Sequence, residues 1–148
     1  MGQGFKSSCR LTYMNHCLNC GKKLKKYASK YCSNLCQAEF THKEFIKKWK
    51  LGLVSGNRGR FTKNISGHLK RYLEEKFGEK CSVCGWDMKN PITKRVPLEI
   101  DHVDGNSENN REINLRMICP NCHSLSSNFR NLNKGKGRYW RKMKYLRQ

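Results

Sequence analysis

Eight of the nine cysteines fall into four tight pairs: Cys17/Cys20, Cys32/Cys36, Cys81/Cys84 and Cys119/Cys122. That spacing limits what a chain of 148 residues can become. Cysteines so close in sequence rarely bond one another as structural disulfides, but they chelate zinc well. The first ten residues, MGQGFKSSCR, have no apolar centre, so no secretory signal is expected. A reducing cytoplasm and zinc thiolates are the matching expectation. Cys9 is left over and reads as a free thiol in an N-terminal arm. Apolar residues make up 36% of the chain, so the core is expected to be small. Each structural zinc is then expected to contribute on the order of 10 kcal/mol that burial cannot.

The pairs divide the chain. Residues 1–15 read as a basic flexible arm. Residues 16–40 read as an N-terminal zinc-binding unit, Cys17, Cys20, Cys32 and Cys36 in the pattern C-x2-C-x11-C-x3-C. Gly21 and Gly85 each follow the second cysteine of a pair, where a knuckle turn needs positive φ. Residues 41–80 read as a helical linker region with two helices. The first is expected to begin at Thr41, with Thr41-x-x-Glu44 as a capping box and Phe45, Ile46, Trp49 and Leu53 at helical spacing. GLVSGNRGR reads as a flexible basic connection. The second helix is expected from Ser66 to Phe77, with Ile65, Leu69, Tyr72, Leu73 and Phe77 along one face and Gly78 as its stop. His68, beside that stripe, reads as an ordinary surface residue.

Residues 81–134 carry the chemistry, and residues 135–148 form a basic tail with interleaved aromatics. VPLEI predicts a strand leading into Asp101-His102. A polar turn-rich loop follows, then the strand NLRMI. Pro120 suits the first turn of a helix expected to reach about Asn131. The expected fold is a small, zinc-stapled α+β chain, with a ββα unit preceded by a zinc knuckle unit and two helices. His102 can act as a general base because imidazole titrates near neutral pH. Asp101 and His123 can hold one hard divalent cation, magnesium, manganese or another. Neighbours on a strand point to opposite sides, so Asp101 can face the metal while His102 faces a water if the chain bends there. Cys81, Cys84, Cys119 and Cys122 would saturate a tetrahedral zinc and leave no open position, so that site reads as structural, as does the first. His123 beside Cys122, and His16 beside Cys17, could instead be alternative zinc ligands. On a helix running past His123, Ser127 and Arg130 would share its face, and Arg130 could brace a phosphate or simply be solvated.

Asp101-His102, Asn114 at a strand start, and His123 closing Cys-Pro-Asn-Cys-His together resemble the HNH endonuclease family, over roughly residues 81–134. LEIDHVDGN and NLRMICPNCHS are most similar to the small HNH proteins of bacteriophages. The resemblance implies a ββα-metal fold, a cation held by Asp101 and His123, and His102 as general base. It also implies that Asn114 holds the loop bearing His102 by hydrogen bonding. A phage-type protein would work in the cytoplasm of a bacterial host cell.

The charge points to the substrate. With 31 Lys and Arg against 11 Asp and Glu, the formal charge is +20. Such self-repulsion is best relieved by a polyanion. The absence of a long apolar run argues against a membrane partner. Double-stranded DNA is the expected partner, with Arg130, Lys134, Lys136 and Arg138 among its contacts. One site per chain cuts one strand at a time, so double-strand cleavage would need a homodimer or two encounters. The competing reading is a non-catalytic zinc-finger nucleic-acid-binding protein, which leaves Asp101, His102 and His123 without a purpose.

Overall fold

The computed structural model describes residues 16–28, 30–59, 64–133 and Met143. The arm with Cys9, and Lys134, Lys136 and Arg138 in the tail, lie outside the described residues. The chain divides into two units, the first ending at Glu44 and the second beginning at Phe45. No helix among the described residues is long and apolar enough to cross a membrane.

In the first unit, a bridge between His16 and Lys23 and a turn closed by the Gly21 N–H to the Cys17 carbonyl (2.8 Å) shape the first knuckle. Helix α1 spans Asn34–Lys50, so the expected start at Thr41 is wrong by two turns. Ser33 is the cap: its Oγ accepts the Cys36 N–H at 3.2 Å, an oxygen of the type that satisfies a first-turn donor. Thr41 lies inside the helix, and its hydroxyl donates back to the Gln37 carbonyl at 2.8 Å. That bond is the usual one for a threonine in a helix interior. Cys36 thus sits on the first turn of α1, one turn beyond Cys32.

In the second unit, the end of α1 packs into the main core. Ile46, Trp49, Leu69, Leu73, Leu115 and Met117 are buried there. Helix α2 spans Gly67–Phe77, with the Ser66 side chain accepting the Leu69 N–H and Gly78 ending it at φ 70°. This agrees with the predicted helix and its stripe. His68 is half-buried against the Phe45 ring, centroids 5.0 Å apart. Leu53 lies beyond α1 and is exposed, contrary to the periodic reading.

The Gly-rich segment after α1 is no loose connection. Asn57 bridges to Ile65, and the Ser66 N–H reaches the Gly56 carbonyl at 2.9 Å. Gly56 is buried at φ +78°, and a Cβ there would lie 2.9 Å from Leu69 Cδ2 and 3.2 Å from Asn110 Cβ. Only glycine combines that backbone with so close an approach. Gly56→Ala is expected to destabilise the unit by about 3 kcal/mol through left-handed backbone and overpacking. Urea unfolding should show a lower midpoint with an unchanged slope; an unchanged midpoint would contradict the packing.

Strand β1, Glu99–His102, pairs antiparallel with β2, Leu115–Ile118. The register sets Asp101 opposite Arg116 and His102 opposite Leu115. Helix α3 follows at Pro120–Ser124, with Cys119 accepting the Cys122 N–H. The order β1, β2, α3 is the expected ββα unit, but α3 is five residues long and does not reach Asn131. Past it come Ser126, Ser127 and Asn128, residues of low helix propensity. Asn128 Nδ2 donates to the Val103 carbonyl at 2.9 Å, and the chain folds back so that Phe129 meets the His123 ring edge-on at 5.4 Å. A short 3-10 turn covers Arg130–Asn133.

Candidate active site

Strand alternation builds the site. Glu99 and Asp101 are two apart and share a face, and both address His123 on α3. Asp101 is buried. Its Oδ1 lies 4.0 Å from His123 Nε2, while its Oδ2 accepts from Arg116 Nε at 2.8 Å. The other nitrogen, His123 Nδ1, is bonded to Glu99 Oε2. A carboxylate on one imidazole nitrogen orients the ring and leaves the other nitrogen as a metal ligand. Two neighbouring ligands about 2.1 Å from a tetrahedral or octahedral ion lie about 3.0–3.4 Å apart. The pair Asp101 and His123, at 4.0 Å, is slightly wider, and a side-chain shift of about half an ångström would bring both onto one divalent cation. Each of the two has its second polar atom already engaged, so neither can swing away freely.

His102 lies on the opposite face and is half-buried. Its Nε2 is 2.9 Å from Asn110 Oδ1. The loop after it is tightly tied. Buried Asn114 donates from Nδ2 to Asp104 Oδ1 (2.9 Å) and the Asn109 carbonyl (2.8 Å), and its Oδ1 accepts the Asp104 N–H at 3.0 Å. Burial works against the Asp104 carboxylate, but hydrogen bonds from Asn109, the Asn106 N–H and Asn114 outweigh it and hold its carboxyl below the ordinary range. The same loop is anchored from behind by Glu112, which accepts from Lys76 at 2.7 Å and Tyr72 at 2.6 Å. Those two bonds, Lys76 first, keep its carboxyl low.

The four cysteines Cys81, Cys84, Cys119 and Cys122 converge, with their sulfurs all within 4.8 Å of one another, and so do Cys17, Cys20, Cys32 and Cys36. The Cys84–Cys119 sulfurs are 3.8 Å apart, Cys20–Cys32 3.6 Å and Cys32–Cys36 3.4 Å. A tetrahedral zinc with sulfur bonds of about 2.3 Å sets its ligands about 3.8 Å apart, so both clusters can hold zinc. Within the second cluster, burial disfavours the Cys81 thiolate, yet the backbone N–H groups of Cys84, Cys119 and Val83 bring its thiol down to about 6. Cys122 is pushed up to about 12, chiefly by its bond to Cys84 and by burial. The first cluster repeats this split: Cys17 falls to about 6, while Cys36 and Cys20 drive Cys32 up to about 12. Four adjacent sulfurs cannot all ionise without a cation among them. Neither His16 nor His123 belongs to a cluster, and the histidine-ligand alternatives fall.

Arg130 does not share a helical face with His123, because α3 has ended. It is exposed, at φ 45°, with its guanidinium 4.9 Å over the Phe129 ring. A helical register that would aim Arg130 at a phosphate beside His123 is therefore absent, α3 ending at Ser124. Three residues of the site were not foreseen. Glu99 could have been found from its i, i+2 relation to Asp101. Arg116 and Asn110 needed the register and the loop path.

Residues 81–129 match the model of the HNH endonuclease family. The chain is also similar to the H-N-H endonuclease F-TflIV of Escherichia phage T5, with 47% identity over 47 residues. That match covers 32% of this chain and 20% of the phage protein, so the chain spans about a fifth of the length of the curated relative it matches. No solved structure matches. The matched segment contains β1, β2, α3, the second cysteine cluster and the Asp101–His123 pair, and the chain therefore carries an HNH endonuclease domain over residues 81–129.

Proposed function

We propose that this chain is a metal-dependent DNA endonuclease that hydrolyses phosphodiester bonds. The observation that carries this reading is the Asp101 Oδ1 to His123 Nε2 separation of 4.0 Å, with the far side of each group already committed to Arg116 and Glu99. When bound there, a divalent cation supplies Lewis-acid stabilisation of charge on the phosphate and on the leaving oxygen. Arg116 fixes Asp101 so that one oxygen stays available. His102 takes a proton from the attacking water as the new P–O bond forms. The bond to the 3′-oxygen then breaks and that oxygen takes a proton from solvent, leaving a 5′-phosphate and a 3′-hydroxyl. Asn114 ties down the loop that follows His102.

Zinc in the two cysteine clusters is proposed as structural. The cluster of Cys81, Cys84, Cys119 and Cys122 sets the start of α3 and hence the place of His123. The charge of +20 supplies backbone affinity, which positions a protein without reading sequence. Duplex DNA is the proposed substrate, and the cytoplasm of a bacterial host the proposed setting. A homodimer is required only if both strands are cut at once.

The test is supercoiled plasmid incubated with the purified chain and magnesium or manganese. Relaxed or linear product that disappears with EDTA supports the reading. Tight, salt-dependent binding without cleavage of duplex, single-stranded DNA or RNA would overturn it in favour of a binding module.

A further inference from the structure

The ring of His102 is held by a side chain whose orientation the surrounding bonds dictate. Asn110 is 5% exposed. Its Nδ2 donates to the Ser55 carbonyl and to Asn57 Oδ1, each at 2.9 Å. Its own backbone carbonyl accepts the Trp49 indole N–H at 2.8 Å. A backbone carbonyl can only accept, so the group facing Ser55 must be the NH2 of the amide. Turning the amide over would set two oxygens 2.9 Å apart. Oδ1 therefore faces His102 Nε2 at 2.9 Å, and an amide oxygen can only accept. His102 Nε2 must carry the proton.

We propose that Asn110 is a positioning residue that holds neutral His102 as its Nε2–H tautomer and leaves Nδ1 as the nitrogen that receives the proton of water. This rests on the reading of His102 as general base. A neutral imidazole has one basic nitrogen, and the bond made by the other decides which one it is. The buttress comes from outside the matched domain. Trp49, Ser55 and Asn57 all precede residue 81, where the family match begins. Gly56 lets that segment pass within van der Waals contact of Asn110, and the bridge from Asn57 to Ile65 pins it. The segment between α1 and α2 thus sets the chemical state of a residue in the nuclease domain.

The tautomer is directly observable. Long-range proton–nitrogen correlation spectra of the full-length, nitrogen-15-labelled, zinc-loaded chain would be recorded near pH 8.5, about two units above the ordinary imidazole pKa. The His102 signals are identified by their loss in His102→Gln. The expected pattern is the Nε2–H tautomer for His102 in the unaltered chain. Asn110→Ala is expected to give a mixture of tautomers, and single-turnover cleavage about 10–100-fold slower with unchanged KM for DNA. Asn57→Leu, which removes one acceptor of the Asn110 NH2, should move both readouts the same way by less. An Nδ1–H or mixed tautomer in the unaltered chain overturns the proposal whether or not any variant folds. So does a folded Asn110→Ala that keeps both the tautomer and the rate. An Nε2–H tautomer in a chain that cuts no nucleic acid would overturn the nuclease reading and leave the positioning by Asn110 standing.

Discussion

His102→Ala is expected to slow single-turnover cleavage by about 10²–10⁴-fold, the usual contribution of a general base, while affinity for duplex DNA stays unchanged. The separation of the two effects follows from where the residue sits. His102 is half-buried at the end of β1, and its side chain is hydrogen-bonded to Asn110. Phosphate affinity is expected from the dispersed charge of +20 and not from this one side chain. Gel-shift titration and plasmid cleavage measured on the same preparation check the result. A variant that cuts at the unaltered rate removes His102 as the base. One that loses binding and cleavage together would point to a local collapse of the Asn110 network instead.

The second large effect concerns stability. Cys81→Ser is expected to unfold the nuclease domain and to reduce bound zinc from two ions per chain to one. Cys81 is 2% exposed and forms a small core cluster with Ile118 and Cys119. The backbone N–H groups of Cys84, Cys119 and Val83 favour its thiolate, so a hydroxyl there loses a zinc ligand. A large part of the roughly 10 kcal/mol contributed by a structural zinc would go with it. Asp101→Ala serves as the contrast, since it removes a charge from the active site but no zinc ligand. Its melting temperature should stay close to that of the unaltered chain while cleavage is lost. A Cys81→Ser protein with unchanged melting and zinc content would contradict the structural assignment of that cluster.

Much of the site was legible because its chemistry is local in sequence. The paired cysteines, Asp101-His102, and the Pro120 helix start each follow from spacing, and the strands flanking the polar loop follow from short apolar, β-branched runs. The start of α1 was hidden because CSNLC serves two purposes. The same residues that close the first cluster also form the first turn of the helix, with Ser33 as cap. Thr41 and Glu44 imitate a capping box inside a helix that had already begun. The length of α3 was overestimated because His123, Ser127 and Arg130 keep a helical period. Bonds such as Asn128 to the Val103 carbonyl lie 25 residues apart and cannot be read from a local pattern. Asn110 was invisible for the same reason: its partners Ser55 and Asn57 lie 55 and 53 residues away, in a stretch whose composition alone suggests a loose linker.

The most direct test of the central claim is the chemistry of the cut ends. Plasmid nicked by the unaltered chain with magnesium or manganese would be purified and treated with DNA ligase. Hydrolysis with the 3′-oxygen as leaving group predicts nicks that reseal, because the ends are 5′-phosphate and 3′-hydroxyl, no nicks with EDTA, and nicking slowed about 10²–10⁴-fold in His102→Ala. Metal-independent nicks, or nicks that ligase cannot close, would contradict an active site built on Asp101, His102 and His123.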